Sequence, residues 1–379
     1  MPEREVLATA ITASAELGGT ERVLLDVVSR AFEFGVTLRV LVPRDGPLAA
    51  TCRQLGVPVD VVPMPARLLR GSQRLRHLHT LPTALAAMGR WGRALADHRW
   101  ARDAQVAYPV GFKPYLGARR IPVPSVWHLH EMPPAATGWL WRRMARRTPQ
   151  AVIASSAAVA SAWRVPRTVT IPNGVDLDVF RPAERTGWIH NTLGLDRGDR
   201  LVGMPAVLAE WKGQLEVAQA FGMVAEDFPD THLVFVGGSI YDTVAERAFE
   251  ARLRSILGAR VHLLPFQERV ERVYPEFDLC VHYSLRPEPF GRVILEAMAC
   301  GVPVLAAAEG GPTEIVTAGG WLVPPRSPEA LARSMTDALG MPRKALHDVG
   351  NWGRVRAEDV YSAREFARRV CGVLKQAGA

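Results

Sequence analysis

The sequence predicts an α/β protein built from two doubly wound domains, and three observations carry that prediction. Short apolar runs alternate with amphipathic helical segments from end to end, as expected of parallel sheets covered on both faces. The alternation is interrupted where residues 183–200, AERTGWIHNTLGLDRGDR, turn polar and rich in breakers. It then restarts and runs to the last residues. With 379 residues and 48% hydrophobic content, the chain can fill two cores more readily than one.

In order, the first series predicts a strand at Val6–Ile11, a helix from about Thr20 to Phe34, and strands at Thr37–Val42, Val59–Val62 and Ala104–Tyr108. Further strands follow at Ser125–His128, Ala151–Ala154 and Thr168–Ile171. The second series places strands at Leu201–Val207, His232–Val236, Val261–Leu264, Leu279–Tyr283, Val302–Ala307 and Trp321–Val323. A helical spacing of Phe366, Val370 and Leu374 predicts a last helix over about Ser362–Gln376. The expected division is residues 1–183 for the first domain and 184–359 for the second, with the end of the chain, about 360–379, a separate helical element.

Composition narrows the function classes. The net charge of +8 comes from arginine, because Lys113, Lys212, Lys344 and Lys375 are the only lysines. Such a surplus suits a nucleotide-linked ligand, an anionic membrane face or nucleic acid. Zinc-finger spacing and Gly-aromatic RNA-recognition motifs are both missing, which ranks nucleic acid last. No apolar run is long enough to span a bilayer, and MPEREVLATAITAS lacks the layout of an export signal, so a cytoplasmic protein is expected. Cys52, Cys280, Cys300 and Cys371 are widely spaced and read as reduced packing residues.

The most informative stretch is Arg286–Val304, RPEPFGRVILEAMACGVPV, which sets Glu288 and Glu296 eight positions apart across a loop-to-helix junction. Gly291 at the junction leaves room for close backbone approach, and the amides of a first helical turn suit an anion. Glu296 lies among Ile294, Leu295, Ala297, Met298, Ala299 and Cys300, on a helix apolar nearly all round. A buried carboxylate there needs hydrogen-bond donors, which ligand hydroxyls can supply. Gly301 and Pro303 stop the helix.

Other positions admit two readings each. Gly18 and Gly19 follow the first strand, either as an ordinary turn or as a place for a phosphate or sugar to meet the backbone; Thr20 is a candidate helix cap. His128 and His130 alternate, so on a strand they share a side; without a third ligand at suitable spacing, metal is the weaker reading. Asp176 and Asp178 follow the Asn173-Gly174 turn and read as structural, with Phe180 and Pro182 anchoring the chain as it leaves the first domain. Lys212 stands at a helix start in a chain poor in lysine, where a compact cation meets a diphosphate or is simply solvated. Gly310, Gly311 and Glu314 of GGPTE open a short helix after a strand, either as backbone that approaches a sugar or phosphate or with Glu314 simply favouring the start of its own helix. Arginines crowd around Arg67, Arg70, Arg74 and Arg76, around Arg90, Arg93, Arg99 and Arg102, and around Arg142, Arg143, Arg146 and Arg147. Trp91, Trp100, Trp139, Leu140 and Trp141 are interleaved with them, a pattern shared by solvated helices and anionic membrane surfaces.

The paired glutamates, together with GGTER at Gly18–Arg22, HLHE at His128–Glu131, IPNGVDLDVFRP at Ile171–Pro182, WKGQ at Trp211–Gln214 and GGPTE at Gly310–Glu314, resemble the retaining glycosyltransferases of family 4. The resemblance spans nearly the whole chain. It implies the GT-B fold, with two Rossmann-like domains facing across a cleft, the first binding acceptors and the second donors, and a C-terminal helix crossing back to cap the first. It implies sugar transfer, with retention, from a nucleoside diphosphate sugar to a hydroxylated acceptor: a sugar, a lipid-linked sugar or a small metabolite. It implies that neither metal nor cofactor is required. His130, Glu288 and Lys212 become the catalytic candidates, and Gly18, Gly19, Lys212, Glu288, Phe290, Gly291, Arg292, Val293, Glu296, Gly310 and Gly311 the donor-binding set. Peripheral contact of the basic first domain with the inner membrane face fits a lipid-linked acceptor. One departure stands out: Val207 occupies a position where many members carry a phosphate-binding arginine. It leaves open compensation by Arg292 or another arginine, a catalytically weak binding or partner protein, and, ranked lower, a nucleotide-sugar epimerase.

Overall fold

The structure is a computed structural model that describes residues 5–69, 81–238 and 243–379. Arg70, Arg74 and Arg76, and the side chain of Arg67, lie outside the described residues. The chain divides into two compact units, Met1–Gly174 with Ala363–Ala379, and Val175–Ser362.

The first unit contains β1 (Val6–Ile11), β2 (Val36–Val42), β3 (Val59–Val61), β4 (Val106–Pro109), β5 (Val126–Leu129), β6 (Ala151–Ala154) and β7 (Thr168–Thr170). All pair in parallel, in the orders β3-β2-β1-β4 and β5-β6-β7. Single bridges from Ala107 to Ser125 and from Val110 to His128 join β4 to β5. The second unit contains β8 (Arg200–Pro205), β9 (Thr231–Val236), β10 (Val261–Leu264), β11 (Leu279–His282), β12 (Val304–Ala307) and β13 (Gly320–Val323), ordered β10-β9-β8-β11-β12-β13 and again parallel. Strands buried on both faces explain the unbroken apolar runs: β4, β5, β11 and β12 are buried at every position. In each sheet the order reverses beside its first strand, between β1 and β4 and between β8 and β11. Ligands of doubly wound sheets bind beyond the carboxyl ends of the strands at such a point.

The last helix, Ala363–Gly378, belongs to the first unit. It buries Phe366, Val370, Cys371 and Leu374 in one cluster with Val6, Ala8, Val23 and Val27. Its start fits against Gly174, where a Cβ would lie 2.5 Å from the Ala363 Cα, so the IPNG turn accepts only glycine there.

Several elements differ from the sequence expectation. The helix expected over Thr20–Phe34 runs over Gly19–Val28 and gives way to a 3-10 turn at Ala31–Phe34. Gly18 is its cap, so Thr20 lies inside it. The Ser29 hydroxyl donates to the Leu25 carbonyl, left-handed Gly35 closes the turn, and Phe32 is 81% exposed. The segment read as a linker holds a helix at Trp188–Leu193, set between left-handed Gly187 and Gly194, with Ile189 and His190 buried. Buried Glu276 fastens its approach by accepting from the Thr186 amide and hydroxyl at 2.8 Å and from the Gly187 amide at 2.9 Å. Asp278 holds Arg185 through both guanidinium nitrogens, at 3.1 and 3.0 Å. Phe180 joins the second unit's core, so the chain changes unit at Gly174 and not at residue 183. Helices at Pro328–Leu339 and Arg343–Val360 complete the second unit.

All four cysteines are free and buried. Among the described residues no helix is long and apolar enough to cross a membrane.

Candidate active site

In the second unit, the loops leaving β8 and β11 meet where the strand order reverses. The first ends in a 3-10 turn, Glu210–Lys212, closed by Gly213 at φ 79°. A Cβ on Gly213 would lie 2.2 Å from the Tyr283 carbonyl oxygen, so glycine is what lets the two loops touch. The Leu285 amide donates to the Trp211 carbonyl at 2.8 Å, and the Gln214 side chain to the Val207 carbonyl at 2.8 Å. Lys212 therefore precedes the helix Gln214–Val224 instead of starting it. Its ammonium lies 4.1 Å from the centre of the Trp211 ring and 2.9 Å from Glu288 Oε2.

That same oxygen accepts from Ser284 Oγ at 2.8 Å and lies 3.4 Å from His282 Nε2. Desolvation pushes the Glu288 carboxyl up, but Lys212 and the His282 contact outweigh it and hold it far below the usual range. Glu288 is thus a fixed anion. Sequence reasoning missed both His282 and Ser284, although their alternation at the exit of a strand marks two side chains on one side.

Glu296 sits inside the helix Arg292–Ala299 and is buried. Its donors, expected from a ligand, are in part built in: Tyr274 donates its hydroxyl to Oε2 at 2.7 Å, and Arg292 Nε stands 3.4 Å from Oε1. Gly291 caps the helix at φ 105° with no side-chain cap, and the Ile294 amide turns back to the Gly291 carbonyl at 3.0 Å. The Phe290 ring is 5% exposed and packs edge-on against Tyr361, so its side chain belongs to the core and only its backbone is left for a ligand. Val293 is half-buried against the same core. Gly310 bridges to Glu288, and Gly311 donates to the Glu288 carbonyl at 2.8 Å. A Cβ on Gly310 would stand 2.2 Å from that carbonyl oxygen. Close loop packing accounts for both glycines.

In the first unit, Gly18 packs over Glu21, whose Oε2 would lie 2.7 Å from a Cβ, while Gly19 faces open space. His128 and His130 do share a side, with ring centres 3.9 Å apart. His128 is fully buried, with Nδ1 2.5 Å from the Tyr108 hydroxyl, and Tyr115 donates to its carbonyl. Burial, then the neighbouring His130, push its pKa well below the ordinary value, so the ring is neutral. His130 lines a shallow recess, with room for little more than a water, together with Glu131, Phe112, Tyr115 and Trp163. Trp163 Nε1 donates to the Glu131 carbonyl at 2.8 Å. The Glu131 carboxyl is raised by desolvation and by Glu21, against an opposing pull from Lys113. Glu21 is itself raised by desolvation, and Lys113 is lowered by burial. Lys113 also escaped the sequence reading, although the scarcity that singled out Lys212 applies to it equally.

Asp176 accepts from the amides of Asp178 at 3.0 Å and Val179 at 3.3 Å, an Asx turn. Among the described residues no three His, Cys, Asp or Glu side chains gather as metal ligands.

Two family models match the chain: Glycosyl transferases group 1 over residues 188–356, and Glycosyltransferase Family 4 over residues 17–179. Spore coat protein SA of Bacillus subtilis is 25% identical over 224 residues, 55% of this chain and 59% of its own length. A D-inositol 3-phosphate glycosyltransferase of Mycolicibacterium gilvum is 36% identical over 172 residues, 44% of this chain and 38% of its own. A GDP-mannose-dependent alpha-(1-6)-phosphatidylinositol monomannoside mannosyltransferase of Mycolicibacterium smegmatis is 31% identical over 223 residues, 54% of this chain and 55% of its own. The alignments thus span between about two fifths and three fifths of these relatives. Among solved structures, Anabaena HepE in complex with UDP and glucose is similar with a TM-score of 0.81 at 23% identity, covering 98% of this chain and 99% of its own. Sucrose-phosphate synthase of Thermosynechococcus elongatus follows at 0.79 and 18%, covering 98% and 99%. At such identities the likeness shows the fold.

Proposed function

We propose that this chain, which belongs to the retaining family 4 glycosyltransferases of GT-B fold, moves a sugar from a nucleoside diphosphate donor to an acceptor hydroxyl. The observation that carries the reading is the Lys212–Glu288 pair, set at the reversal point of the second sheet in the loop that leads into the Arg292–Ala299 helix.

The chemistry follows from charge. As the bond between the anomeric carbon and the diphosphate lengthens, negative charge grows on the leaving oxygen, and Lys212 with the helix amides stabilises it. Lys212 then exchanges Glu288 for phosphate, one charge-assisted contact for another. Glu288, released, accepts from donor-sugar hydroxyls while Ser284 and His282 keep it in place. Glu296 takes the ribose hydroxyls, its orientation fixed by Tyr274. The family motif gives His130 a role at the reacting sugar, where it supports the oxocarbenium-like centre. No covalent nucleophile is assigned: same-face attack, with the leaving phosphate taking the acceptor's proton, accounts for retention.

Relatives supply the substrate classes. HepE is described with UDP and glucose, and the mycobacterial relative is named for GDP-mannose and a phosphatidylinositol mannoside. A sugar, a lipid-linked sugar or a small metabolite remains the acceptor class of this reading, with a cytoplasmic, membrane-peripheral location. Val207 favours a second reading, a binding protein of low turnover. Mass spectrometry of products from UDP-, GDP-, ADP- and TDP-sugars, with and without acceptors, separates the readings. Glycosylated acceptor, lost in Glu288→Gln, supports transfer; donor binding without product supports the binding protein; an altered donor without acceptor supports an epimerase.

A further inference from the structure

We propose that His282 is a positioning residue for Glu288, in reserve for the positive charge that Lys212 takes away when it turns to a diphosphate. Neutral while Lys212 is in place, the imidazole then gains a proton from solvent and becomes the carboxylate's counter-charge. That Lys212 leaves at all rests on the transferase reading. What His282 does without it rests on the geometry.

Three donors converge on a single oxygen of Glu288: Lys212 Nζ at 2.9 Å, Ser284 Oγ at 2.8 Å and His282 Nε2 at 3.4 Å from Oε2. The place is nearly closed, since the side chains of Lys212 and Glu288 are each 14% exposed and that of His282 5%. A carboxylate held there and deprived of its cation is costly, and one hydroxyl does not offset a full charge. His282 stands within reach and can change its charge near neutrality, which Ser284 cannot.

The ring is placed for that change. With Nε2 toward Glu288, the incoming proton goes to Nδ1, which is buried and has no hydrogen-bond partner among the described residues. No bond has to break for it to arrive. On β12 the neighbour of His282 is Ala306, which carries no charge. Arg326 pairs with Glu309 at 2.9 Å, and Glu216, Glu329 and Arg326 act on Tyr283, between His282 and Ser284. Against desolvation, Lys212 and then His282 hold Glu288 ionised. Removing the first leaves the second.

A pH titration of histidine-labelled protein by NMR tests this without any ligand, the His282 signal being identified by its loss in His282→Gln. In Lys212→Met the His282 ring should stay protonated to a pH about one to two units higher than in the parent. Adding Glu288→Gln should abolish that rise, and Lys212→Arg, which keeps the cation, should titrate like the parent. Lys212→Gln serves as the second variant where methionine disturbs folding. A His282 titration that is the same in the parent and in Lys212→Met overturns the proposal, and so does a rise that survives Glu288→Gln. Calorimetry with UDP-, GDP-, ADP- and TDP-glucose in buffers of different ionisation enthalpy then reads the exchange in the intact protein. Near pH 7.5 the sugar nucleotide that binds should draw roughly half a proton or more per site from the buffer, and His282→Gln should bind it without uptake. Because the complex holds the extra proton, affinity should fall as pH rises. Binding without uptake by the parent sinks the role of His282 and leaves the transferase standing. Binding of none of the four counts against the transferase reading, while the Lys212→Met titration still decides the role of His282.

Discussion

Glu288 in the second unit and Glu131 in the first are both desolvated, yet their carboxyl groups shift in opposite directions. Around Glu288, Lys212, Ser284 and His282 come from the exits of two adjacent strands, which Gly213 allows to touch. Around Glu131 the nearest charge effects are Glu21, of like sign, and Lys113, which only offsets it. Burial pushes both carboxyl groups up, and the loops that converge decide whether that push is outweighed. The second unit thus keeps an anion and a cation matched. The first keeps a neutral His128 beside His130 and carboxyl groups that resist ionising.

The contrast breaks most visibly through the two lysines. Lys212→Met should lower kcat/KM for transfer by roughly 10²–10³-fold, the usual loss when a preorganised stabiliser of the leaving group is removed. Lys113→Met, in the first unit, should lower it by less than about tenfold. Equal losses in steady-state assays would erase the distinction. Lys212→Met should also cost about 3 kcal/mol of stability in urea unfolding, because it strands a buried carboxylate, and Glu288→Gln on top of it should restore most of that.

Next in size is the tyrosine on the second carboxylate. Tyr274→Phe removes the 2.7 Å donor from Glu296 without changing the fit of the ring. A loss of about 1–2 kcal/mol in unfolding free energy is expected. If Glu296 holds ribose, nucleotide diphosphate affinity should fall with it in calorimetric titration, whereas Tyr108→Phe, on His128 in the first unit, should leave that affinity unchanged.

These partner sets show where the sequence could be read and where it could not. Both sheets were legible because parallel strands buried on two faces leave apolar runs such as VAYP and VLAA in the sequence. Glu288, Gly291 and Glu296 were legible because a carboxylate inside an apolar helix needs a reason. The donors to those carboxylates were harder to read, since Tyr274 lies 22 residues from Glu296 and Lys212 lies 76 from Glu288. The Trp188–Leu193 helix was hidden in a polar segment because its anchors, Glu276 and Asp278, come some 90 residues later. Glycine roles were legible only in kind. Gly310 and Gly311 signalled close approach, but the group approaching is the Glu288–Phe290 backbone.

A smaller effect concerns histidines, and here the two units behave alike. His128 in the first unit, and His232 and His262 in the second, have folded-state pKa values pushed below 6.5 by burial first. His232 Nδ1 faces His262 Nε2 at 3.0 Å, with Asp199 3.5 Å away and Arg260 and His190 nearby. A lowered histidine pKa means the unfolded chain binds the extra protons. Its stabilising contribution is therefore present above about pH 6.5 and is lost as pH falls through the folded value. Thermal melting between about pH 7.5 and 5.5 should show a falling Tm, and His262→Gln should flatten the slope.

The carboxyl groups of the first unit carry the opposite sign and the smallest effect. Glu21 and Glu131 are raised in the fold, so at neutral pH each, once ionised, costs stability that is regained only as pH drops toward 4.5. Glu21→Gln keeps an acceptor for the Gly18 and Glu21 amides that now bond its carboxylate, while removing the like charge that raises Glu131. It should therefore raise stability at pH 7 by a few tenths of a kcal/mol and change nothing near pH 4, where both groups are largely protonated in either state. A gain of the same size at both pH values would mean that packing, not charge, is what glutamine relieves. A loss at pH 7 would mean that the carboxylate's amide bonds outweigh its desolvation, and the first unit would then resemble the second.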